Sequence, residues 1–191
     1  FFKEFGCNPY AYSMHPTPIY LRTHTSDPVP FLIYDSRRQA KKVGLIRGAY
    51  HFYSTLSSAK EQADFFCRTV QLEEGDLPPV LDVESIGNLT KDQLQSELII
   101  WLNIVENYYK IKPIIYSSHS FYKEKLNNPI FDTYPHWIAH YYIDSLSYDG
   151  DWHFWQHTDY GKVKGIDDYV DVNLFNGTYA ELLDMTIQPE K

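Results

Sequence analysis

Two capping boxes, each opening an apolar stripe of helical period and each bracketed by short apolar runs, constrain this chain more than any other feature of its sequence. Ser58-Ala59-Lys60-Glu61 precedes Ala63, Phe66, Cys67 and Val70, and Thr90-Lys91-Asp92-Gln93 precedes Leu94, Leu98, Trp101, Leu102, Val105 and Tyr109. In each box the first side chain caps the third backbone N–H while the last reaches back. The second stripe needs a sheet beneath it. A further helix is predicted from about Phe31 to Val43, with Arg37, Arg38, Lys41 and Lys42 at its negative end and Gly44 as its stop.

Between and after these helices lie the strand candidates Ile19–Thr23, Leu45–Phe52, Val80–Glu84, Ile114–Ser117, Trp137–Tyr142 and His153–His157. Strands alternating with helices predict an α/β fold with a largely parallel sheet. The last two candidates have only the Asp144–Asp151 turn region between them. That is too short for a helical crossover, so antiparallel strands are expected near the C-terminus, and a regular eightfold barrel is not. No repeat or linker divides the 191 residues, which predicts a single domain over 1–191. Residues 1–18, with Pro9, Pro16 and Pro18, are expected to be irregular.

A net charge of −8 argues against a nucleic-acid partner or an anionic membrane surface. No apolar run is long enough to span a bilayer. Phe1-Phe2-Lys3-Glu4 lacks the form of a signal peptide, and a chain beginning at Phe is expected to be processed or truncated. Cys7 and Cys67 could form one bridge or remain two thiols, with Cys67 placed in the core by its stripe. The histidines show no ligand spacing, so no metal and no cofactor is implied. Tyr, Phe and Trp make up 17% of the chain, a surplus that predicts rings lining a surface or cleft.

The segment richest in chemistry is Pro78-Pro79-Val80-Leu81-Asp82-Val83-Glu84. Strand alternation puts Asp82 and Glu84 on one face, their side chains starting about 6–7 Å apart. At that distance one carboxyl can hold its proton while the other stays ionised. The C-terminal ends of parallel barrel strands are where catalytic groups project. Alone, this pattern also suits two solvated carboxylates.

Its context changes the weighting. Gly48-Ala49-Tyr50-His51-Phe52, the Pro79–Glu84 run, Pro113-Ile114-Ile115-Tyr116-Ser117, Trp137-Ile138-Ala139-His140-Tyr141, Phe154-Trp155-Gln156-His157 and Val170-Asp171-Val172-Asn173-Leu174-Phe175-Asn176-Gly177 follow in that order. Together, over about Ile19 to Leu183, they resemble glycoside hydrolase family 25, the Chalaropsis-type lysozymes. The resemblance implies an irregular, flattened TIM-like β/α barrel that cleaves the β-1,4 bond between N-acetylmuramic acid and N-acetylglucosamine in peptidoglycan. It implies Glu84 as general acid, Asp82 as the carboxylate that steadies the developing charge or an oxazolinium formed by the substrate's acetamido group, and Asp171 as a further cleft carboxylate. A protonated Glu84 is expected to need a partly desolvated site.

Tyr50, Phe52, Tyr116, His140, Tyr141, Trp155 and Gln156 are the expected substrate contacts, ring faces against sugar faces and polar groups at their edges. Tyr116 and Trp155 stand out as cleft residues, Trp137 and Phe154 as core. His51 and His140 are expected to orient neighbours by hydrogen bonding. The expected setting is extracellular or cell-wall-directed, with peptidoglycan strands as partner and a monomeric chain.

Two departures stand against this pattern. Family members usually begin with an Asp-bearing strand, and residues 1–18 contain no Asp; where a Lys-Ala-Thr-Glu-Gly strand end is usual, Tyr20-Leu21-Arg22-Thr23-His24-Thr25 stands. The first family strand is therefore expected to be missing or divergent. They keep open an alternative, a catalytically impaired glycan-binding module on the same fold. A chitinase-like barrel fits less well, because the longer acidic run of those enzymes is absent.

Overall fold

The computed structural model describes residues 3–4, 19–23, 39–148, 150–164 and 166–189, the first two stretches by backbone alone. Among these, eight strands form one sheet in chain order: β1 (Lys3–Glu4), β2 (Ile19–Thr23), β3 (Arg47–Phe52), β4 (Val80–Asp82), β5 (Ile114–Ser118), β6 (His136–Ala139), β7 (Phe154–Gly161) and β8 (Val170–Phe175). From β2 to β7 the strands are parallel. The flanking pairs β1/β2 and β7/β8 are antiparallel. The sheet curls far enough for β1 to come against β8.

Antiparallel pairing near the C-terminus is thus present, one strand later than the spacing predicts. β6 and β7, expected to be antiparallel, are parallel. Both are shorter at their facing ends than the apolar runs suggest, so the connection is residues 140–153, long enough to return along the outside without a helix. Of the opening segment expected to be irregular, Lys3–Glu4 is a short strand on β2; residues 5–18 lie outside the described residues, as does Cys7. The helix predicted from Phe31 is described only at residues 39–42, and Gly44 follows at φ +76°.

Helices α1 (Ala59–Thr69) and α2 (Lys91–Tyr109) begin at the expected capping boxes, on Ser58 and Thr90. A third box, Thr178 with Glu181, opens α3 (Tyr179–Asp184). The stripes of α1 and α2, Cys67 included, bury against Ala49, Leu81, Val83, Ile115 and Ile138 on the convex face of the sheet. The concave face holds a second core of Tyr50, Val80, Ile114, Tyr116, Trp137, Ala139 and Phe154. Strand alternation alone sorts neighbours such as Leu81 and Asp82 into these two layers.

At the N-terminal end of the parallel strands, Arg47 is clamped by carboxylates. Its Nε donates to Asp76 Oδ1 at 2.5 Å and its Nη2 to Glu73 at 3.0 Å. Arg47 and Asp76 are both buried. Lys41 also pairs with Glu73. This end is a structural base, and the chemistry gathers at the other.

Candidate active site

The ladder aligns Phe52, Asp82, Tyr116, Trp137, Phe154 and Phe175 in one row across β3 to β8. One pleat toward the open end, Gln156 faces Asn173. Because β8 runs backwards, Asp171 lies a further pleat out, at the end where the parallel strands finish. Register, not proximity in sequence, brings Asp171 to this end of the sheet, close enough for its charge to act on Tyr141.

Asp82 is the last residue of β4 and is buried. The extended chain continues past it: Val83 N–H donates to Tyr116 O at 2.9 Å, and Val83 packs in the convex core beside Leu81. Glu84 therefore returns to the face of Asp82, as alternation requires. Its side chain is exposed rather than partly desolvated as expected, because the chain has already left the sheet.

The polar centre is Gln156, fully buried on β7. Its Oε1 accepts from Tyr116 Oη at 2.7 Å and from Tyr141 Oη at 2.5 Å, while its Nε2 has no partner among the described residues. Burial pushes the Tyr116 hydroxyl far above its ordinary range, and Tyr141, Asp82 and Glu84 push it the same way. Burial also raises Tyr141, to about 12; its bond with Tyr116 opposes this, and Asp171, Asp159 and Glu84 add to it. The fields of Asp82, Glu84 and Asp171 thus meet on two hydroxyls that stay protonated and tied to one amide. Below them, Trp137 Nε1 donates to Asn173 Oδ1 at 2.8 Å.

The other expected contacts divide. Phe52 and Tyr141 are half-buried and keep part of their rings open. Tyr50 and Tyr116 are buried in the concave core, so Tyr116 works through its hydroxyl rather than an open ring face. Trp137 and Phe154 are core as expected. Trp155 points to the layer opposite Gln156, buried, its Nε1 donating to His140 O at 2.8 Å. The His140 ring stacks on His119 at 4.8 Å, and its orienting contribution comes from its backbone, whose N–H donates to Gln156 O at 3.1 Å. His51 hydrogen-bonds Gln62 Oε1 at 2.9 Å and stacks on Trp101, away from the concave face. Adjacent strand residues cannot share a face, which separates Trp155 from Gln156.

Three features were not anticipated. Asn173 supports the site from β8, inside a motif quoted above for its Asp. Behind β6, the His136 ring is held by Tyr148 Oη, which donates to Nδ1 at 2.8 Å, and by Phe131 O, which accepts from Nε2 at 2.9 Å. Near the mouth, Gly87 at φ +54° packs so closely on Thr55 that a Cβ would meet Oγ1 at 2.1 Å, clipping the loop after Glu84 to the loop after β3.

Comparison with known proteins shows the family. The family model for glycosyl hydrolases family 25 matches residues 25–166, and the chain belongs to that family. It is 47% identical over 144 residues to the uncharacterized protein YegX of Escherichia coli (strain K12), covering 75% of this chain and 53% of that protein. It is 31% identical over 159 residues to lysozyme M1 of Streptomyces globisporus, covering 75% of this chain and 54% of that protein. The chain spans about half the length of these curated relatives. Among solved structures, the bacterial lysozyme from Streptomyces coelicolor superposes with a TM-score of 0.77 at 27% identity, over 88% of this chain and 83% of that one.

Proposed function

We propose that this chain is a peptidoglycan hydrolase of lysozyme type, an N-acetylmuramidase acting on the β-1,4 bond between N-acetylmuramic acid and N-acetylglucosamine. The reading takes 1–191 as a single domain on a flattened, irregular TIM-like barrel. Glu84 is the general acid and base, Asp82 assists, and Asp171 is a further cleft carboxylate. The observation that carries it is the convergence of these three carboxylates on the Tyr116, Gln156 and Tyr141 unit at the open end of the parallel strands.

In this mechanism Glu84 gives its proton to the bridging oxygen as the bond from that oxygen to C1 breaks. The substrate's acetamido oxygen closes on C1, and the charge of Asp82 steadies the resulting oxazolinium. Water then attacks C1 and leaves its proton on Glu84, restoring the acid, one of the recognised substrate-assisted routes. Because Glu84 is exposed, the bound sugar rings themselves exclude water from it. Phe52 and Tyr141 supply ring faces, Gln156 and Tyr116 fix Tyr141, and Tyr50 supports them from below. Trp155 and His140 hold the β6 to β7 connection in place.

The working place is extracellular or cell-wall-directed, and the chain acts as a monomer. Among the described residues no helix is long and apolar enough to cross a membrane. Clearing of purified cell walls with release of new reducing ends tests the activity. Glu84→Gln should abolish both while leaving the thermal midpoint unchanged; equal clearing by that variant removes Glu84 from the mechanism. A second reading, a glycan-binding module with impaired catalysis, is favoured by Tyr20–Thr25 standing where the family carries an acidic strand end. It predicts saccharide binding with no new reducing ends.

A further inference from the structure

Beside the site, exposed tyrosines lie on the connection from β6 to β7 and on the hairpin of β7 and β8. Tyr142, Tyr160 and Tyr169 expose 70%, 62% and 51% of their surface, a large uncovered aromatic area. The row begins inside the site: the Tyr141 ring lies 6.0 Å from that of Tyr142. Asp159 joins the two, accepting from Tyr142 Oη and adding its charge to those around Tyr141. Tyr160 lies close enough to act on the ionisation of Tyr142. Tyr169 then backs Tyr160, ring centroids 4.0 Å apart, and is itself covered by Lys162 Nζ at 3.9 Å.

The way Tyr142 is held matters as much as its exposure. Its backbone sits at φ +59°, a left-handed conformation unfavourable for a bulky side chain. Its N–H is tied to His157 O at 3.2 Å. A solvent-facing ring gains no burial from such a conformation, and held strain of this kind gathers at functional positions.

We propose that Tyr142 and Tyr160, the latter backed by Tyr169 and Lys162, form a distal saccharide platform that holds further pyranose rings of the glycan strand engaged at Glu84. The apolar face of a pyranose lies flat on a phenol ring while its hydroxyl rim reaches tyrosine hydroxyls and the Asp159 carboxylate. Continuity with Tyr141 selects the same strand as the occupant. The proposal rests on the glycan reading above, and its test separates the two.

Retention of the protein on insoluble peptidoglycan sacculi at low temperature is the readout. Tyr142→Asn suits the left-handed backbone, and Tyr160→Thr suits the strand, so both variants keep the fold. Each should weaken retention by roughly two- to tenfold. Tyr108→Ala, which removes an exposed ring from α2, should leave it unchanged. Retention of both variants equal to that of the parent, with reducing-end release by the parent intact, overturns the platform alone. Retention lost in the variants while the parent releases no reducing ends supports the platform and overturns the hydrolase. A change in oligomeric state on gel filtration in place of lost retention assigns the row to a self-contact and overturns the platform.

Discussion

Replacing Gln156 by Met keeps the shape of the side chain and removes the acceptor that ties Tyr116 to Tyr141. Two hydrogen bonds are lost, at 2.7 and 2.5 Å, each contributing about 1 kcal/mol net. The buried Tyr116 hydroxyl keeps its bond with Tyr141, which holds any further cost to about 1 kcal/mol. Two effects offset this: Tyr141 is half-buried and can turn to water, and the Nε2 donor, partnerless among the described residues, goes too. The balance is a destabilisation of about 2 kcal/mol. Tyr116→Phe alone should cost about 1 kcal/mol. The double variant should cost less than the sum by about 1 kcal/mol, because replacing both partners by apolar groups leaves nothing unsatisfied between them. Urea unfolding of the four proteins measures the cycle. Additivity within about 0.3 kcal/mol would show that Tyr116 does not depend on Gln156, and the account of the polar centre would be wrong.

At the opposite end, Asp76→Asn should cost about 3 kcal/mol, since the buried Arg47 loses the buried carboxylate that pairs with its Nε. The thermal midpoint should fall by roughly 10 °C; a fall of under about 2 °C would contradict a buried ion pair. Burial lowers the affinity of His136, His153 and His157 for protons. Unfolding therefore takes up protons, so stability is complete above the unfolded value of about 6.5 and is lost as pH falls through the lower folded values. Urea midpoints should drop between about pH 7.5 and 5.5, and His136→Gln should flatten that slope; an unchanged slope excludes His136 as a source.

The helices were legible because their signals are local. A capping box needs four consecutive residues and a stripe needs a turn or two, so Ser58 and Thr90 open helices where the sequence says. Strand β4 was legible for the same reason: its short apolar run ends at Asp82. Alternation also held an answer that motif matching passes over, since Trp155 and Gln156 are strand neighbours that must face opposite layers.

What the sequence determined by itself was the α/β class, the two long helices, the strand that ends at Asp82, and membership of a carbohydrate-hydrolase family. Only the tertiary structure decided that β7 runs parallel to β6, that Asp171 on the reversed β8 acts on Tyr141, and that Gln156 joins Tyr116 to Tyr141. It also decided which aromatic rings stay open. These are matters of register and curl between strands far apart in the chain, and no local propensity encodes them.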